Sequence, residues 1–464
     1  MKTMILILAL ALSMGCLIGQ DITGDWHGLL DLEGVKLRIV FRIVATPDGF
    51  SATFDSPDQG AFGLPVNRVE FVDQILTLET KTPPIIYTGT LQDGTITGIL
   101  NQSGLELPLD MRRAAMEKPV YLRPQEPQEP FPYRVEELEF PNPEAGIKLS
   151  ATLTMPEYTG NHPAVVLISG SGPHDRNAEL FGHKPFLVMA DHLSRQGIAV
   201  LRYDERGCGS SEGEFSGATT LDFASDVISA VRFLQKREDI DGIGLVGHSE
   251  GGIIAPLVAA EMPELKFTVL LAGPGIRGDS LLLLQEEMIW RAEGSDEAEM
   301  ERSLNINRNV FQMISQMDDS GVLADDIREF LAQSVAAGLI DIPEGYSEED
   351  VIAGYITRMT DPWMLFFLRH DPASALEKLG CPVLALNGSK DLQVPARANL
   401  EAIGAILDRA GHANYRTIEL AGLNHLFQEA ETGHPNEYAA IEQTIAPEVL
   451  EIMADWIKKQ LGVK

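Results

Sequence analysis

Two rhythms of apolar residues divide the chain. In GVKLRIVFRIV (residues 34–44), Val35, Leu37, Ile39, Phe41 and Ile43 are apolar, and Lys36, Arg38 and Arg42 fall between them. A period of two marks a strand with one buried face. Turn signals recur at short intervals, at Pro47-Asp48-Gly49, Ser56-Pro57-Asp58 and Asp93-Gly94. The last of these joins IIYTGTL to TITGIL as a hairpin. Residues 21–115 therefore predict a small antiparallel β domain, either a barrel or a sandwich. Asp25, Trp26 and His27 read as core and turn residues and suggest no site.

From about residue 133 the rhythm changes. After a β-rich entry (VEELEF and IKLSATLTMP), short apolar runs alternate with helical patterns. AVVLIS (164–169) precedes FLVMADHLSRQG, IAVLRY (198–203) precedes LDFASDVISAVRFLQKR, and IGLVGH (243–248) leads into GGIIAPLVAA. FTVLLA (267–272), PVLALN (382–387) and YRTIEL (415–420) complete the set. Buried β-branched runs separated by amphipathic helices predict an α/β domain over 133–464, a mostly parallel sheet with helices on both faces. Between about 277 and 375 the strand rhythm breaks into long helical patterns, which predicts a helical cap. The two regions are joined by EKPVYLRPQEPQEPFPY (117–133). Its proline density excludes helix and central strand, so 116–132 reads as a semi-rigid extended linker.

The first segment, MKTMILILALALSMGCLIG, has one lysine, a short apolar run and then small residues. A membrane span needs about 20 apolar residues, so residues 1–19 read as an export signal peptide. Ser13-Met14-Gly15-Cys16 resembles an imperfect lipobox with serine where an aliphatic residue is usual. Two outcomes follow: a lipid anchor on Cys16, or ordinary cleavage that discards it. The expected location is the periplasm, the exterior or the cell envelope, with membrane contact only through such an anchor. Cys208 and Cys381 are too far apart in sequence to suggest a disulfide framework or a zinc site. The formal net charge of −32 disfavours nucleic acid and anionic lipid as partners.

Gly247-His248-Ser249-Glu250-Gly251 matches G-x-S-x-G between a strand pattern and a helix pattern. The motif has a steric basis. A serine on a strained strand-to-helix turn needs residues without side chains two before and two after it. Gly242, Gly244 and Gly247 also spell G-x-G-x-x-G. A dinucleotide loop, however, needs its glycines after the strand, and these lie within or at the end of the apolar run. In GSGPHD (170–175), Asp175 stands where the third glycine belongs. No organic cofactor and no metal is expected.

A serine hydroxyl needs a base, and the base needs an acid to fix its tautomer. In chain order serine, acid, histidine, the candidates after Ser249 are His370, His412, His425 and His434. His425, in AGLNHLF, directly follows the last strand pattern. His412 precedes that pattern, His434 lies further along a polar loop, and His370 belongs to the cap. Asp391, in NGSKDLQVP, follows the preceding strand. Loops at the carboxyl edge of a parallel sheet open onto one crevice, so Ser249, Asp391 and His425 can converge there. Acyl transfer also needs N–H donors for the developing oxyanion. Glu250 N–H, opening the helix, supplies one. The SGSGPHDRN loop supplies the other from Ser171, with Gly172 as the near alternative. The Glu250 side chain reads as a partner of the helix dipole.

These residues resemble the α/β-hydrolase superfamily, and more narrowly its exported bacterial carboxylesterases related to dienelactone hydrolases and prolyl-oligopeptidase-type peptidases. The resemblance spans about residues 133–464. It rests on SGSGPHDRN, LRYDERGCGSSEG, GHSEGG, the DPWMLFFLRHDPASALEKLGCPVLALNGSKDLQVP stretch and LNHLF. It implies an α/β-hydrolase fold with a helical cap, beside the small β domain. It also implies a Ser249–Asp391–His425 triad, a Ser171–Glu250 oxyanion pair, and a bracing loop at Asp204 and Arg206. The implied activity is hydrolysis of small, short-chain acyl esters without a cofactor. A serine peptidase on the same triad is the rival reading. The oligopeptidase form carries a propeller of four or more blades, far more than the roughly 95 residues of the β region. A non-catalytic binding protein on this scaffold is a third reading, disfavoured by the complete set of triad residue types.

Overall fold

The structure, a computed structural model, describes residues 21–462 apart from 33–34, 48, 60, 82–83, 103–104, 118–121, 159, 318–319 and 343–345. Residues 1–19, read above as an export signal, lie with Cys16 outside the described residues. Apart from residues 31–37 and 58–60, which group with the second, the chain divides into two compact units near residue 117.

The first unit holds nine strands: β1 (Gly24–Leu32), β2 (Val35–Thr46), β3 (Gly49–Ser56), β4 (Ala61–Val66), β5 (Arg68–Val72), β6 (Ile75–Lys81), β7 (Pro84–Gln92), β8 (Thr95–Gln102) and β9 (Leu105–Arg112). They form one sheet in the order β4-β3-β2-β1-β9-β8-β7-β6-β5. β4 approaches β6 and β3 approaches β5, so the two edges roll together as in a barrel rather than stacking as a sandwich. The alternation seen in β2 faces inward as expected: Leu37, Ile39, Phe41 and Ile43 are buried with Trp26, Tyr87 and Met111.

The second unit carries an eight-stranded sheet. Its strands are β10 (Tyr133–Asn142), β11 (Ile147–Pro156), β12 (His162–Ile168), β13 (Ala199–Tyr203), β14 (Ile240–His248), β15 (Thr268–Leu271), β16 (Val383–Gly388) and β17 (Tyr415–Leu420). Their order is β10-β11-β13-β12-β14-β15-β16-β17. β10 and β11 pair antiparallel, β11 joins β13 antiparallel, and every later pairing is parallel. β12, β13, β15 and β16 are buried along their whole length, the pattern of strands covered on both faces. Edge strand β10 instead alternates buried and exposed positions.

Helices α1 (Pro185–Arg195), α2 (Thr220–Gln235) and α3 (Gly251–Glu261) follow β12, β13 and β14, and α10 (Ala396–Arg409) and α11 (Pro447–Leu461) complete the layers. Successive residues of β12 point to opposite sides. Val166 and Ile168 join α2, α3 and α10 in one core, and Val165 and Leu167 join α1 and α11 in the other. α3 is apolar all round, and it is correspondingly buried against the central strands β14 and β15. Between β15 and β16 the chain forms α4 (Gly278–Glu293), α5 (Glu297–Gln316), α6 (Ser320–Ala336), α7 (Glu348–Met359), α8 (Pro362–Arg369) and the short α9 (Ala373–Leu376). This insert has its own core, in which Phe311, Ile314, Ile327, Leu331, Ile356 and Leu368 meet.

The proline-rich stretch differs from a free spacer. The Arg123 guanidinium donates to the carbonyls of Phe181, Ala439 and Ile441. The Gln125 side chain accepts from Thr444 N–H and Ile445 N–H and donates to Ile445 O. The Arg123 and Gln125 side chains thus satisfy backbone groups of the loop before α11 and of Phe181. Cys208 and Cys381 are both free thiols.

Candidate active site

β14 runs through Gly242, Gly244 and Gly247, which places all three glycines inside a strand. Gly244 and Gly247 have a packing reason, and Gly242 takes a left-handed φ of +91°. A Cβ on Gly244 would fall 2.2 Å from the Phe267 ring, and one on Gly247 would fall 1.9 Å from Gly251 O. The turn that follows is tight enough to strain its apex: Ser249 has φ +54°, a left-handed conformation that costs a residue with a side chain. A Cβ on Gly251 would meet Ile168 O at 2.3 Å, and one on Gly252 would meet Gly273 Cα at 2.5 Å. Ser249 N–H donates to Leu271 O at 2.9 Å, tying the apex to the end of β15. Ala178 and Phe427, whose residues line the same cavity as Ser249, are also left-handed, with φ +49° and +60°. Strain of this kind concentrates at functional sites.

Asp391 and His425 stand on the loops after β16 and β17. His425 Nδ1 donates to Asp391 Oδ2 at 2.8 Å. The other carboxylate oxygen, Oδ1, accepts Gln393 N–H and Val394 N–H, each at 2.8 Å. Asp391 is 1% exposed and His425 4%, so this pair is held away from water. His248 reaches across from the motif and donates from Nε2 to His425 O at 2.9 Å. Its ring lies 4.8 Å from the His425 ring. Burial, with the neighbouring His425 ring, pulls the His248 imidazole down to about 3. His248 is therefore neutral, and as an N–H donor it fixes the backbone that carries His425.

Ser249, His425, Ser171 and Glu250 all line one cavity of about 320 Å³. Leu180, Phe186, Met189 and Ile445 form one apolar wall, and Leu281, Leu282, Trp363 and Phe367 of the cap form another. Among the described residues, the N–H groups of Ser171, Gly172 and Glu250 have no protein acceptor. His370 caps α8, His412 Nε2 donates to Cys381 O, and His434 lies beside Glu293, so none of them joins the cavity. No group of three His, Cys, Asp or Glu side chains among the described residues could hold a metal ion.

The loop carrying Ser171 is braced from behind. Arg176 forks onto Asp204, with Nε–Oδ1 at 3.0 Å and Nη2–Oδ2 at 2.7 Å. Arg206 forks onto Asp226 of α2, at 2.8 and 3.0 Å. Between these two lies Glu205. It takes the Ser169 hydroxyl at 2.5 Å and the His174 N–H at 3.0 Å, gripping both ends of the loop. Glu205 is 5% exposed, and burial, reinforced by the nearby Glu250 and Asp226 carboxylates, pushes its carboxyl up to about 8. Its two oxygens accept separately, one from the Ser169 hydroxyl and the other from His174 N–H.

The proton that Glu205 keeps has a consequence for stability. The unfolded chain loses it near pH 4.5, whereas the folded chain keeps it until about pH 8. Across that window the folded state binds more protons, so rising pH favours unfolding through this residue. Glu205→Gln keeps a neutral group there without a titration. Its Tm relative to the native protein is expected to climb as pH rises from about 4.5 to about 8. Thermal unfolding of both across the window checks this, and parallel Tm profiles would contradict it.

Sequence reasoning did not single out Glu205, Thr220, Trp363 or the ring of His248 within the motif. Trp363 alone had a local signal. Asp361 and Pro362 start a helix, and the Asp361 carboxylate accepts Trp363 N–H at 2.9 Å. The Glu250 side chain is not a free partner of the helix dipole. It is 2% exposed and accepts from Thr220 Oγ1 at 2.7 Å and Trp363 Nε1 at 2.8 Å.

A strained serine at a strand-to-helix turn, with a buried Asp–His pair on later strand ends, is the arrangement of a nucleophile-elbow fold. Residues 165–441 match the alpha/beta hydrolase family, and the chain belongs to that family. It is similar to Esterase EstD of Thermotoga maritima, 26% identical over 312 residues, which cover 67% of this chain and 66% of that protein. A protein of Escherichia coli encoded in the traX-finO intergenic region is 25% identical over 321 residues, covering 68% of this chain and 96% of its own length. Among solved structures, Est1E of Butyrivibrio proteoclasticus with bound ferulic acid is 19% identical. That match covers 70% of this chain and 99% of the other, with a TM-score of 0.41.

Proposed function

We propose that the chain is a serine carboxylesterase that hydrolyses small, short-chain acyl esters through an acyl-serine intermediate. The observation that carries this reading is the junction, at one cavity, of a strained Ser249 with a His425 whose Nδ1 is held by buried Asp391. With Nδ1–H engaged, His425 presents Nε2 as the base. It takes the Ser249 proton as Oγ attacks the ester carbonyl, and Asp391 steadies the imidazolium. Ser171 N–H and Glu250 N–H receive the oxyanion. The alcohol departs with the proton from His425, and water then repeats the attack on the acyl-serine. The esterase name of the Thermotoga maritima relative supports ester hydrolysis.

The cavity size supports a small substrate. At about 320 Å³ it lies at the lower end of ligand pockets, which span about 300–1,000 Å³. Its two apolar walls suit an acyl group on one side and an alcohol on the other. The leader and Cys16 support export, either to the envelope as a lipid-anchored enzyme or as a free one.

Hydrolysis of p-nitrophenyl esters of increasing chain length, alongside aminoacyl p-nitroanilides, tests the reading. Acetate and butyrate are expected to give the highest kcat/KM, falling at least about tenfold for long acyl chains. Anilides are expected to show no turnover. Anilide hydrolysis outpacing ester hydrolysis would make the enzyme a peptidase instead.

A further inference from the structure

The Glu250 carboxylate occupies a position with no assigned role in the proposed chemistry. It nevertheless joins three elements. Thr220 at the start of α2 and Trp363 of cap helix α8 both donate to its Oε1, at 2.7 and 2.8 Å. Ser171 lines the same cavity as Glu250 and Trp363. The same two residues, Glu250 and Ser171, carry the N–H groups that line the cavity without a protein acceptor. Trp363 is itself held, by Asp361 at its backbone and by stacking on Phe367 with ring centroids 5.3 Å apart.

We propose that Glu250 is a positioning residue through which Trp363 of the cap sets the spacing of the Ser171 and Glu250 N–H donors. The inference rests on the serine-hydrolase reading of this site. Its physical basis is that oxyanion donors act only when they are held at the place where charge develops. A carboxylate that ties the Glu250 donor to α2 and to the cap makes its spacing from the Ser171 donor depend on where the cap sits. An alcohol group lodged against Trp363, which lines the cavity, would bear directly on that link.

The test compares Trp363→Phe, Glu250→Leu and the double variant on p-nitrophenyl butyrate. Thermal unfolding and labelling by a fluorophosphonate report the state of each protein. Trp363→Phe keeps an aromatic ring against Phe367 and removes the indole N–H together with the volume of the second ring, a loss that is the same in the Glu250→Leu background. It is expected to lower kcat about ten- to hundredfold, the scale of a small misplacement, with KM within about twofold. In the Glu250→Leu background the same change is expected to lower kcat by no more than about twofold, because the link is already broken. Glu250→Gln, which keeps an oxygen for Trp363 and Thr220, is expected to retain most of the activity lost in Glu250→Leu. That rescue stands as a test even if one of the other variants folds poorly.

Independent, multiplicative losses in the double variant would overturn the link, as would an unchanged kcat in Trp363→Phe. A native protein that neither hydrolyses the ester nor takes up the fluorophosphonate would overturn the functional reading along with it. A native protein that does both, with variants whose effects multiply, would overturn the link alone.

Discussion

Replacing Ser249 with alanine is expected to lower kcat/KM on p-nitrophenyl butyrate by on the order of 10⁵- to 10⁶-fold, the scale seen when a triad nucleophile is lost. The fold is expected to survive. Alanine carries the same Cβ as serine, so the steric cost of φ +54° is unchanged, and the Ser249 N–H bond to Leu271 O is kept. What disappears is the Oγ that the proposed mechanism uses as nucleophile. Turnover above water would persist through the oxyanion donors and substrate binding alone. Activity within about tenfold of the native enzyme in a folded Ser249→Ala protein would remove Ser249 from the mechanism.

Asp391→Asn is expected to lower kcat by about 10⁴-fold at neutral pH while leaving KM near its native value. The direction follows from the hydrogen bonds around the carboxylate. Oδ1 accepts two N–H groups, from Gln393 and Val394, so an asparagine must place its carbonyl oxygen there. Its amide N–H₂ then faces His425 Nδ1, where Asp391 Oδ2 now accepts at 2.8 Å. A donor at that place turns Nδ1 into the acceptor and puts the imidazole proton on Nε2. Histidine in that tautomer cannot take the proton from Ser249. Thermal unfolding and steady-state kinetics measured together check this. A kcat within about tenfold of native would show that Asp391 only shapes its turn.

The apolar rhythm accounted for most of the second unit. Each strand-like run from AVVLIS to YRTIEL became a strand of the parallel part of the sheet, because runs buried on both faces have one reading once helical patterns separate them. Ser249 was legible for a steric reason. Gly247, Gly251 and Gly252 each stand where a side chain would strike backbone, so the spacing of the glycines records the shape of the turn. Asp391 and His425 could be located because strand ends at one edge of the sheet share a crevice.

What sequence could not supply were contacts between residues far apart in the chain. Nothing beside Glu250 indicates that Trp363, 113 residues later, donates to it. Arg123 lies among prolines that read as spacer, yet its partner Ile441 is 318 residues away. The grip of Glu205 on Ser169 and His174 was hidden for a similar reason, since a glutamate in a polar loop reads as a solvated charge. In the first unit, alternation fixed which side chains face inward, but it does not say whether nine strands stack as two sheets or roll into one. The approach of β3 to β5 and β4 to β6 decides that.

The most direct test of the proposed mechanism is to react the native protein with a fluorophosphonate and map the modified peptide by mass spectrometry. The nucleophile assignment predicts one phosphonyl group, on Ser249 within GHSEGG, with ester hydrolysis lost in proportion to labelling. Full ester turnover in a protein labelled at Ser249, or labelling at another residue that abolishes turnover, would contradict it.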